Sequence, residues 1–509
     1  MTDGVVQIEK KLGFFPLIAL VVGTMVGGGV FSLPHDLAVG ANSGAIIIGW
    51  CITAMGMIPL ALVYQTLARQ KPELEGGIYS YARAGFGEYI GFNSAWGYWL
   101  AGILGNVATI MLLFSTLGYF FPIFKGGNNV ASIVGASLLL WTLHFLILFG
   151  IREASIMNVI ATIGKLVPIV LFIVVMVTAF RWDTFTHDFW GEGTISLSAI
   201  LGQVKNTMLV TLWVFIGVEG AVVLSGRAKN SRDVGKATVL GLILVMSIYI
   251  LISVLSMGAM TRGELSVLET PSMGHVLEHV VGPWGAVAIN IGLVASLVGT
   301  LIGWFLLVSE ISHVAGKDGV FPRVFTKTNK KQTPHMALWI SNGVAQIIFI
   351  IVLFSESTYQ IMYFIASTSI LLPYLLSALF QFKLVITNEL KDAKLKNGAL
   401  ALIASIYSVW LLYAAGLKNL LLVSIVYGIG IIVYTFARKE QGNRCFVGAE
   451  KYVMWAIIVA AITSIYMLLT GNIKCKKSFS FKGLFSLFRE YLLHKIFRRD
   501  ENGRKRTVV

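Results

Sequence analysis

Runs of apolar residues recur along this chain, and short polar segments separate them. Most runs are about 20 residues long, which is the length that an α-helix needs to cross the hydrocarbon core of a bilayer. The pattern predicts an all-α, polytopic membrane protein with about thirteen transmembrane helices. The expected helices are Phe14–Leu33, Ala45–Leu67, Tyr89–Phe120, Ala131–Phe149, Ile156–Phe180, Leu201–Leu224, Ala237–Met260, Trp284–Val314, Met336–Phe354, Ile361–Phe382, Ala399–Ala415, Leu420–Phe436 and Val453–Leu469.

The composition agrees with this prediction and argues against a soluble protein. Of the 509 residues, 56% are hydrophobic and 13% are charged, and the mean hydropathy is +0.78. The three cysteines lie far apart in sequence, and the chain has no P-loop, no HExxH pattern and no nucleophile elbow with triad partners. We therefore expect no enzymatic activity, no cofactor and no metal site.

Basic residues concentrate in alternate loops. If Lys10 and Lys11 lie in the cytoplasm, 23 of the 40 lysines and arginines fall on that side and 4 on the other. Cytoplasmic loops carry such an excess, so we predict a multi-pass inner-membrane protein with a cytoplasmic N-terminus, residues 1–13. The same placement accounts for the net charge of +15 without a nucleic-acid partner.

The C-terminal segment 471–509 holds another 11 basic residues. Its apolar positions recur at helical spacing, which is typical of an amphipathic helix in the membrane interface. A disordered basic extension is the alternative, and a miscounted transmembrane helix would change the side on which the segment emerges.

Glycines interrupt two of the apolar runs. Three in succession, Gly27 to Gly29, weaken the first helix at its middle, because glycine costs roughly 1 kcal/mol in a helix interior. An opened backbone is tolerated in the membrane only where it is buried in protein or lines a cavity; close packing through small residues is the alternative.

The sixth run has a similar interruption, Gly217 and Gly220. Interruptions at matching positions in two halves indicate an inverted repeat with a binding site at the bilayer midplane.

Opened helix ends suit a zwitterionic ligand. Backbone N–H groups at a helix N-terminus attract a carboxylate, and free carbonyls accept hydrogen bonds from an ammonium group. The rings of Trp213 and Trp304 could stack on a cationic side chain, although anchoring or packing is the alternative for either. Tyr98 and Asn106 are eight residues apart and Ser367 lies in the tenth run; each would line the same cavity or bond a neighbouring helix.

Two ionisable residues fall inside apolar runs. Glu219 lies between the two glycines of the sixth run, and Lys165 lies near the middle of the fifth. Charged groups in the membrane are costly and usually functional. Glu219 either acts in function or fixes helix packing, and Lys165 needs a partner or a proton-linked role.

Several stretches resemble the amino acid–polyamine–organocation superfamily, and within it the basic amino acid/polyamine antiporters, closest to the arginine–ornithine antiporters. The matching stretches are GTMVGGGVFSLP from Gly23, ELEGGIYSYARAGFGEYIGFNSAWGYWL from Glu73, NTMLVTLWVFIGVEGAVVLSGRAKN from Asn206, SRDVGKAT from Ser231 and GKDGVFP from Gly316. The resemblance runs from about residue 11 to residue 469.

The resemblance implies a LeuT-like fold that works by alternating access. Residues 14–387 would form a five-plus-five inverted repeat with discontinuous first and sixth helices, and residues 388–470 would add further transmembrane helices. The resemblance also implies a substrate-binding site whose members are Met25, Gly27, Gly28, Gly29, Tyr98, Asn106, Trp213, Ile216, Trp304 and Ser367. Glu219 would serve in gating or proton sensing.

Two positions depart from the related arginine–agmatine antiporters. Gly28 stands where those proteins have a serine, and Lys165 stands where they lack a lysine. The resemblance implies exchange of arginine for ornithine across the lipid bilayer, and it leaves open a homodimeric assembly. The alternatives are a proton-coupled basic amino-acid symporter, an exchanger of lysine with cadaverine or histidine with histamine, and, from a different class, an ion channel.

Overall fold

The computed structural model describes residues 12–149, 151–191, 196–353, 359–390 and 393–470. The expectations for the segment before Leu12 and for the C-terminal segment 471–509 therefore lie outside the described residues. The division of the transmembrane helices into a core of 14–387 and an addition of 388–470 stays a prediction.

Eighteen α-helices form the described part of the chain, and three short 3₁₀ turns accompany them. The helices are α1 Phe14–Met25, α2 Gly28–Gly40, α3 Ser43–Gln70, α4 Ile78–Phe86, α5 Glu88–Leu117, α6 Val130–Leu148, α7 Ile151–Ala179, α8 Trp182–Thr186, α9 Leu197–Phe215, α10 Gly220–Val223, α11 Ser231–Ala259, α12 Arg262–Ser266, α13 Ser272–Val281, α14 Pro283–Lys317, α15 His335–Leu353, α16 Tyr359–Ile386, α17 Lys394–Glu440 and α18 Glu450–Leu469. The 3₁₀ turns are Pro122–Phe124, Ser225–Arg227 and Arg323–Thr326.

Within the described residues, twelve helical stretches are long and apolar enough to cross a membrane, with α1 and α2 counted as one stretch. The difference from thirteen lies in α17. It has 47 residues, so a straight helix would be about 70 Å long, more than twice the thickness of a bilayer core. Its backbone leaves the helical region at Gly416, where φ is 77° and ψ is 151°. Glycine adopts this conformation easily and other residues do not.

Contacts place both ends of α17 at one end of the bundle. Near its start, the carbonyl of Asn397 accepts a hydrogen bond from Gln381, at the C-terminal end of α16. Two residues further along α16, Lys383 donates to the carbonyl of Gly85, just before α5. At the other end of α17, Arg438 pairs with Glu88 at the start of α5. The chain thus turns at Gly416 and returns, so α17 supplies two crossings and the total is thirteen.

Burial separates central helices from peripheral ones. In the most apolar window of α5, 83% of the residues are buried within the protein, against 11% for α18. The α1–α2 stretch and α14 each reach 72%. A peripheral helix can leave its apolar side chains exposed because lipid takes the place of protein. The bundle is therefore built around the first, third and eighth membrane-crossing elements.

Ion pairs and a short β-bridge tie together one end of the bundle, which we call the basic end. Leu12 exchanges two backbone hydrogen bonds of 2.8 Å with the segment that follows α10. Arg227 in that segment pairs with Glu310 of α14 at 3.1 Å. Arg83 of α4 pairs with Asp318, directly after α14, also at 3.1 Å. Glu310 thus has a structural partner here.

Candidate functional site: two helix breaks around a buried cavity

The first transmembrane stretch is broken at the glycines that the sequence singles out. Helix α1 ends at Met25 and α2 begins at Gly28, and neither Val26 nor Gly27 between them is helical. No side chain caps the N-terminus of α2. Since the first amides of a helix have no acceptor within it, those of Gly28 and Gly29 are available at this point.

The sixth stretch is broken in a similar way. Helix α9 ends at Phe215 and α10 begins at Gly220. Between them Gly217 has a φ of 111°, and a Cβ on it would lie 2.8 Å from Thr24. The hydroxyl of Thr24 donates a 3.0 Å hydrogen bond to the carbonyl of Gly217. The two breaks are therefore in direct contact.

Side chains occupy the carbonyls at the C-terminal end of α1. The Nζ of Lys165 donates to the carbonyls of Gly23 at 2.6 Å and Val26 at 2.8 Å. The hydroxyl of Tyr249 donates to Met25 at 2.7 Å. Trp304 donates from its indole nitrogen to the fourth carbonyl, that of Thr24, at 3.1 Å.

Lys165 is fully buried. Besides the two carbonyls, its Nζ lies 3.0 Å from the hydroxyl of Thr300 on α14. Lys165 therefore holds α1, α7 and α14 together at the break. Carbonyl and hydroxyl oxygens take the place of the carboxylate that usually pairs with a buried lysine. A bound ligand does not need to supply donors to this helix end.

The carbonyl end of α9 is different. Among the described residues, the carbonyls of Val214 and Ile216 accept no hydrogen bond, because the chain leaves the helix before amides that could reach them. These acceptors are available to a donor in the cavity.

A small cavity of about 30 Å³ lies between the two breaks. Glycine backbone, two indole rings and three threonines dominate its walls. The lining residues are Thr24, Met25, Gly27, Gly28, Gly29, Ala101, Gly105, Thr109, Trp213, Val214, Ile216, Thr300 and Trp304.

Seven of the ten residues predicted for substrate binding line this cavity, and three do not. Tyr98 is buried with its ring against Trp304, at 5.8 Å between centroids. Asn106 is buried on α5, beside the lining residue Gly105. Ser367 is buried on α16, and its hydroxyl has no partner among the described residues. Helix α5 instead presents Ala101, Gly105 and Thr109 to the cavity.

Helical spacing would have found some of the residues that sequence analysis missed. Thr300 lies one turn before Trp304 on α14, and residues four apart share a helix face. Gly105 and Thr109 are likewise four apart on α5. No sequence pattern marks Thr24 as the link between the breaks, because its partner Gly217 is 193 residues away.

Glu219 is fully buried between the sixth break and α16. One carboxylate oxygen accepts a 2.6 Å hydrogen bond from the hydroxyl of Tyr374. The amide of Gly217 donates to both oxygens, at 3.2 and 3.3 Å. The carboxylate thus connects the non-helical segment of the sixth stretch to α16, outside the lining of the cavity.

The glycines of the first break allow close approach of neighbouring helices. A Cβ on Gly28 would lie 2.2 Å from Cδ2 of Leu112, so a leucine fills the space that a serine side chain would occupy there. A Cβ on Gly29 would lie 2.8 Å from Cδ1 of Trp213 and 2.9 Å from Cγ1 of Val214.

A helical membrane bundle with two broken helices around a buried cavity defines a transporter that binds its substrate at mid-depth. The comparisons with known proteins agree with this class. The crystal structure of MhsT in complex with L-phenylalanine matches with a TM-score of 0.56 at 17% identity, over 79% of this chain and 98% of that chain. The predicted inverted-repeat fold with discontinuous first and sixth helices is confirmed.

The sequence comparisons identify the family. The family described as Amino acid permease matches residues 12–420, and this chain belongs to it. An arginine/ornithine antiporter of Pseudomonas aeruginosa is 49% identical over 91% of this chain and 98% of that protein. An arginine/agmatine antiporter of Chlamydia pneumoniae is 42% identical over 92% of this chain and 98% of that protein. A putative arginine/ornithine antiporter of Escherichia coli K12 is 42% identical over 91% of this chain and all of that protein. The family is one of transporters and not of enzymes, as predicted.

The contact at Gly29 predicts the effect of a single added methyl group. Gly29→Ala forces α2 away from α9, and we expect the free energy of unfolding to fall by about 1–3 kcal/mol, as for other overpacked sites. The melting temperature of the purified protein in detergent would report the change. Gly202→Ala in α9 is the control, because nothing lies within 4 Å of its Cβ position. Equal melting temperatures for the two variants would contradict the close approach of the helices.

Proposed function

We propose that this protein exchanges cationic amino acids across the cell inner membrane, taking up arginine and releasing ornithine by alternating access. The names of the relatives described above support this substrate class. The observation that carries the proposal concerns the cavity between the two helix breaks, which we call the central cavity. One helix end beside it has free backbone amides, and another has free backbone carbonyls. The excess of basic residues in alternate loops supports a cytoplasmic N-terminus.

An α-amino acid matches this polarity. Its carboxylate would bind the amides of Gly28 and Gly29, where the N-terminal end of α2 adds a favourable dipole. Its α-ammonium group would donate to the carbonyls of Val214 and Ile216. The carbonyls of α1 do not compete for this group, because Lys165, Tyr249 and Trp304 already occupy them.

The indole rings of Trp213 and Trp304 suit a cationic side chain. A guanidinium or alkylammonium group over an indole face gains about 0.5–2 kcal/mol, with the larger value where water is excluded. Trp304 is 9% exposed, so its contribution would fall toward the upper part of that range. Arginine and ornithine both carry one net positive charge, and one-for-one exchange would therefore be electroneutral.

A proton-coupled symporter is the second candidate, because the buried Lys165 and Glu219 are both ionisable groups beside the breaks. The homodimer and specific contacts with lipid stay predictions.

Exchange and symport differ in what drives uptake. We expect proteoliposomes that contain the purified protein to take up labelled arginine when they are loaded with ornithine. Empty proteoliposomes are expected to take up little, with or without an imposed pH gradient. Uptake into empty vesicles that follows the pH gradient would overturn the exchange proposal in favour of the symporter.

Trp304→Leu tests the proposed cation site. The substitution removes the stacking surface and a hydrogen bond to the carbonyl of Thr24, worth roughly 0.5–1.5 kcal/mol. We expect the Kd for arginine to increase about tenfold or more, as measured by titration calorimetry. Trp455→Leu on α18 is the matched control, since Trp455 is 59% exposed on a peripheral helix. A wild-type Kd in Trp304→Leu would remove this tryptophan from the site.

Glu219→Gln tests the proposed gating role. The amide oxygen can still accept the hydrogen bond from Tyr374, while the group no longer titrates. We expect slower exchange and a flatter pH profile of the exchange rate, with a smaller change in the Kd for arginine. Glu269→Gln, on the exposed segment between α12 and α13, is the control. A wild-type rate and pH profile in Glu219→Gln would count against gating by this residue.

A further inference from the structure

A second and larger cavity opens at the end of the bundle opposite the basic end. Its volume is about 430 Å³. Its walls come from the C-terminal half of α2, the middle of α9, the start of α16 and the residues on both sides of the turn in α17. We call this cavity the outer vestibule.

One pair of aromatic rings connects the lining of the outer vestibule to that of the central cavity. Trp213 lines the central cavity and Tyr363 lines the vestibule. Their ring centroids are 5.3 Å apart. The outer vestibule therefore lies next to the central cavity, with this ring pair at their junction.

The vestibule lining contains one carboxyl group and one lysine amino group. Asp36 comes from α2 and Lys205 from α9. The Nζ of Lys205 lies 4.2 Å from the centre of the Tyr413 ring.

Asp36 has little compensation from the protein. Its side chain is 6% exposed, and its basic neighbour among the described residues is His35, whose Nε2 lies 4.0 Å from Oδ1. The nearby Arg262 donates instead to the backbone carbonyl of Ala38, at 3.0 Å. A carboxylate that is nearly buried without a strong partner is costly. A cation that enters the vestibule would reduce that cost.

We propose that the outer vestibule is a recruitment site for α-amino acids with a cationic side chain. Asp36 receives the guanidinium or side-chain ammonium group, and Lys205 receives the α-carboxylate. This inference rests on the proposed function and adds a second binding site on the substrate's route. Binding there raises the local substrate concentration beside the Trp213–Tyr363 pair.

The same geometry discriminates between amino acids and amines. A diamine, or agmatine, has no carboxylate to offer Lys205, and its second positive charge is repelled by that side chain. The vestibule therefore favours arginine and ornithine over their decarboxylated products, at a point that the ligand reaches before the central cavity.

Asp36→Asn tests the recruitment of the cation. In intact bacterial cells that lack their own arginine uptake, we expect the external KM for arginine to increase about fivefold or more, with the uptake rate at saturation unchanged. Asp183→Asn is the matched control, an exposed aspartate on α8 at the same end of the bundle.

Lys205→Met tests the discrimination. We expect agmatine to inhibit arginine uptake at a concentration several-fold lower in this variant than in the wild type, while the external KM for arginine rises. Lys125→Met is the matched control, since Lys125 is an exposed lysine after α5 and does not line the vestibule. Unchanged saturating rates, together with an unchanged amount of folded protein on size-exclusion chromatography, show that each variant is intact.

The outcomes separate this inference from the proposed function. If the wild-type protein exchanges arginine for ornithine and both variants keep the wild-type external KM and agmatine inhibition, the recruitment site is wrong and the exchanger stands. If the wild-type protein takes up no arginine, the proposed function fails, and this inference fails with it.

Discussion

The hydrogen bonding of two opened helix ends is the constraint on which this structure depends. A helix that stops in the middle of a membrane exposes backbone groups that neither lipid nor water can satisfy there. The protein satisfies the carbonyl end of α1 completely, with donors from Lys165, Tyr249 and Trp304. It leaves the amide end of α2 and the carbonyl end of α9 open to the cavity. A ligand with matching charges can complete those two ends.

The contact between the two breaks couples the helices that form the site. Thr24 bonds to Gly217 across the breaks, and Gly217 bonds to Glu219, which in turn accepts from Tyr374 of α16. The chain of bonds extends from the first transmembrane stretch to the tenth. These bonds connect the backbone beside the cavity to α16, which does not line it.

The two proposed sites would divide recognition into two steps of different chemistry. The central cavity would use backbone dipoles and indole faces, which act at short range and depend on orientation. The outer vestibule would use the side chains of Asp36 and Lys205, which we propose bind the two charged ends of the substrate. The Trp213–Tyr363 pair lies between them. Selection by charge at the outer end would thus precede selection by shape at mid-depth.

The sequence by itself determined the class of the protein. Runs of apolar residues specify membrane helices because only an internally hydrogen-bonded backbone is stable in lipid, and glycine clusters mark the breaks because glycine weakens a helix locally. These are local properties, so the helices and both breaks could be predicted, together with the residues beside the breaks. The two crossings within α17 could be predicted for the same reason.

The tertiary structure alone decided which side chains meet. It showed that Lys165 bonds to the carbonyls of α1, that Asn106 lies beside the cavity lining and not in it, and that Asp36 shares a cavity with Lys205. Each of these pairings joins residues more than a hundred positions apart or depends on the rotation of a helix about its axis. Helical periodicity specifies that rotation only where one face is polar, and in lipid both faces of a helix are apolar.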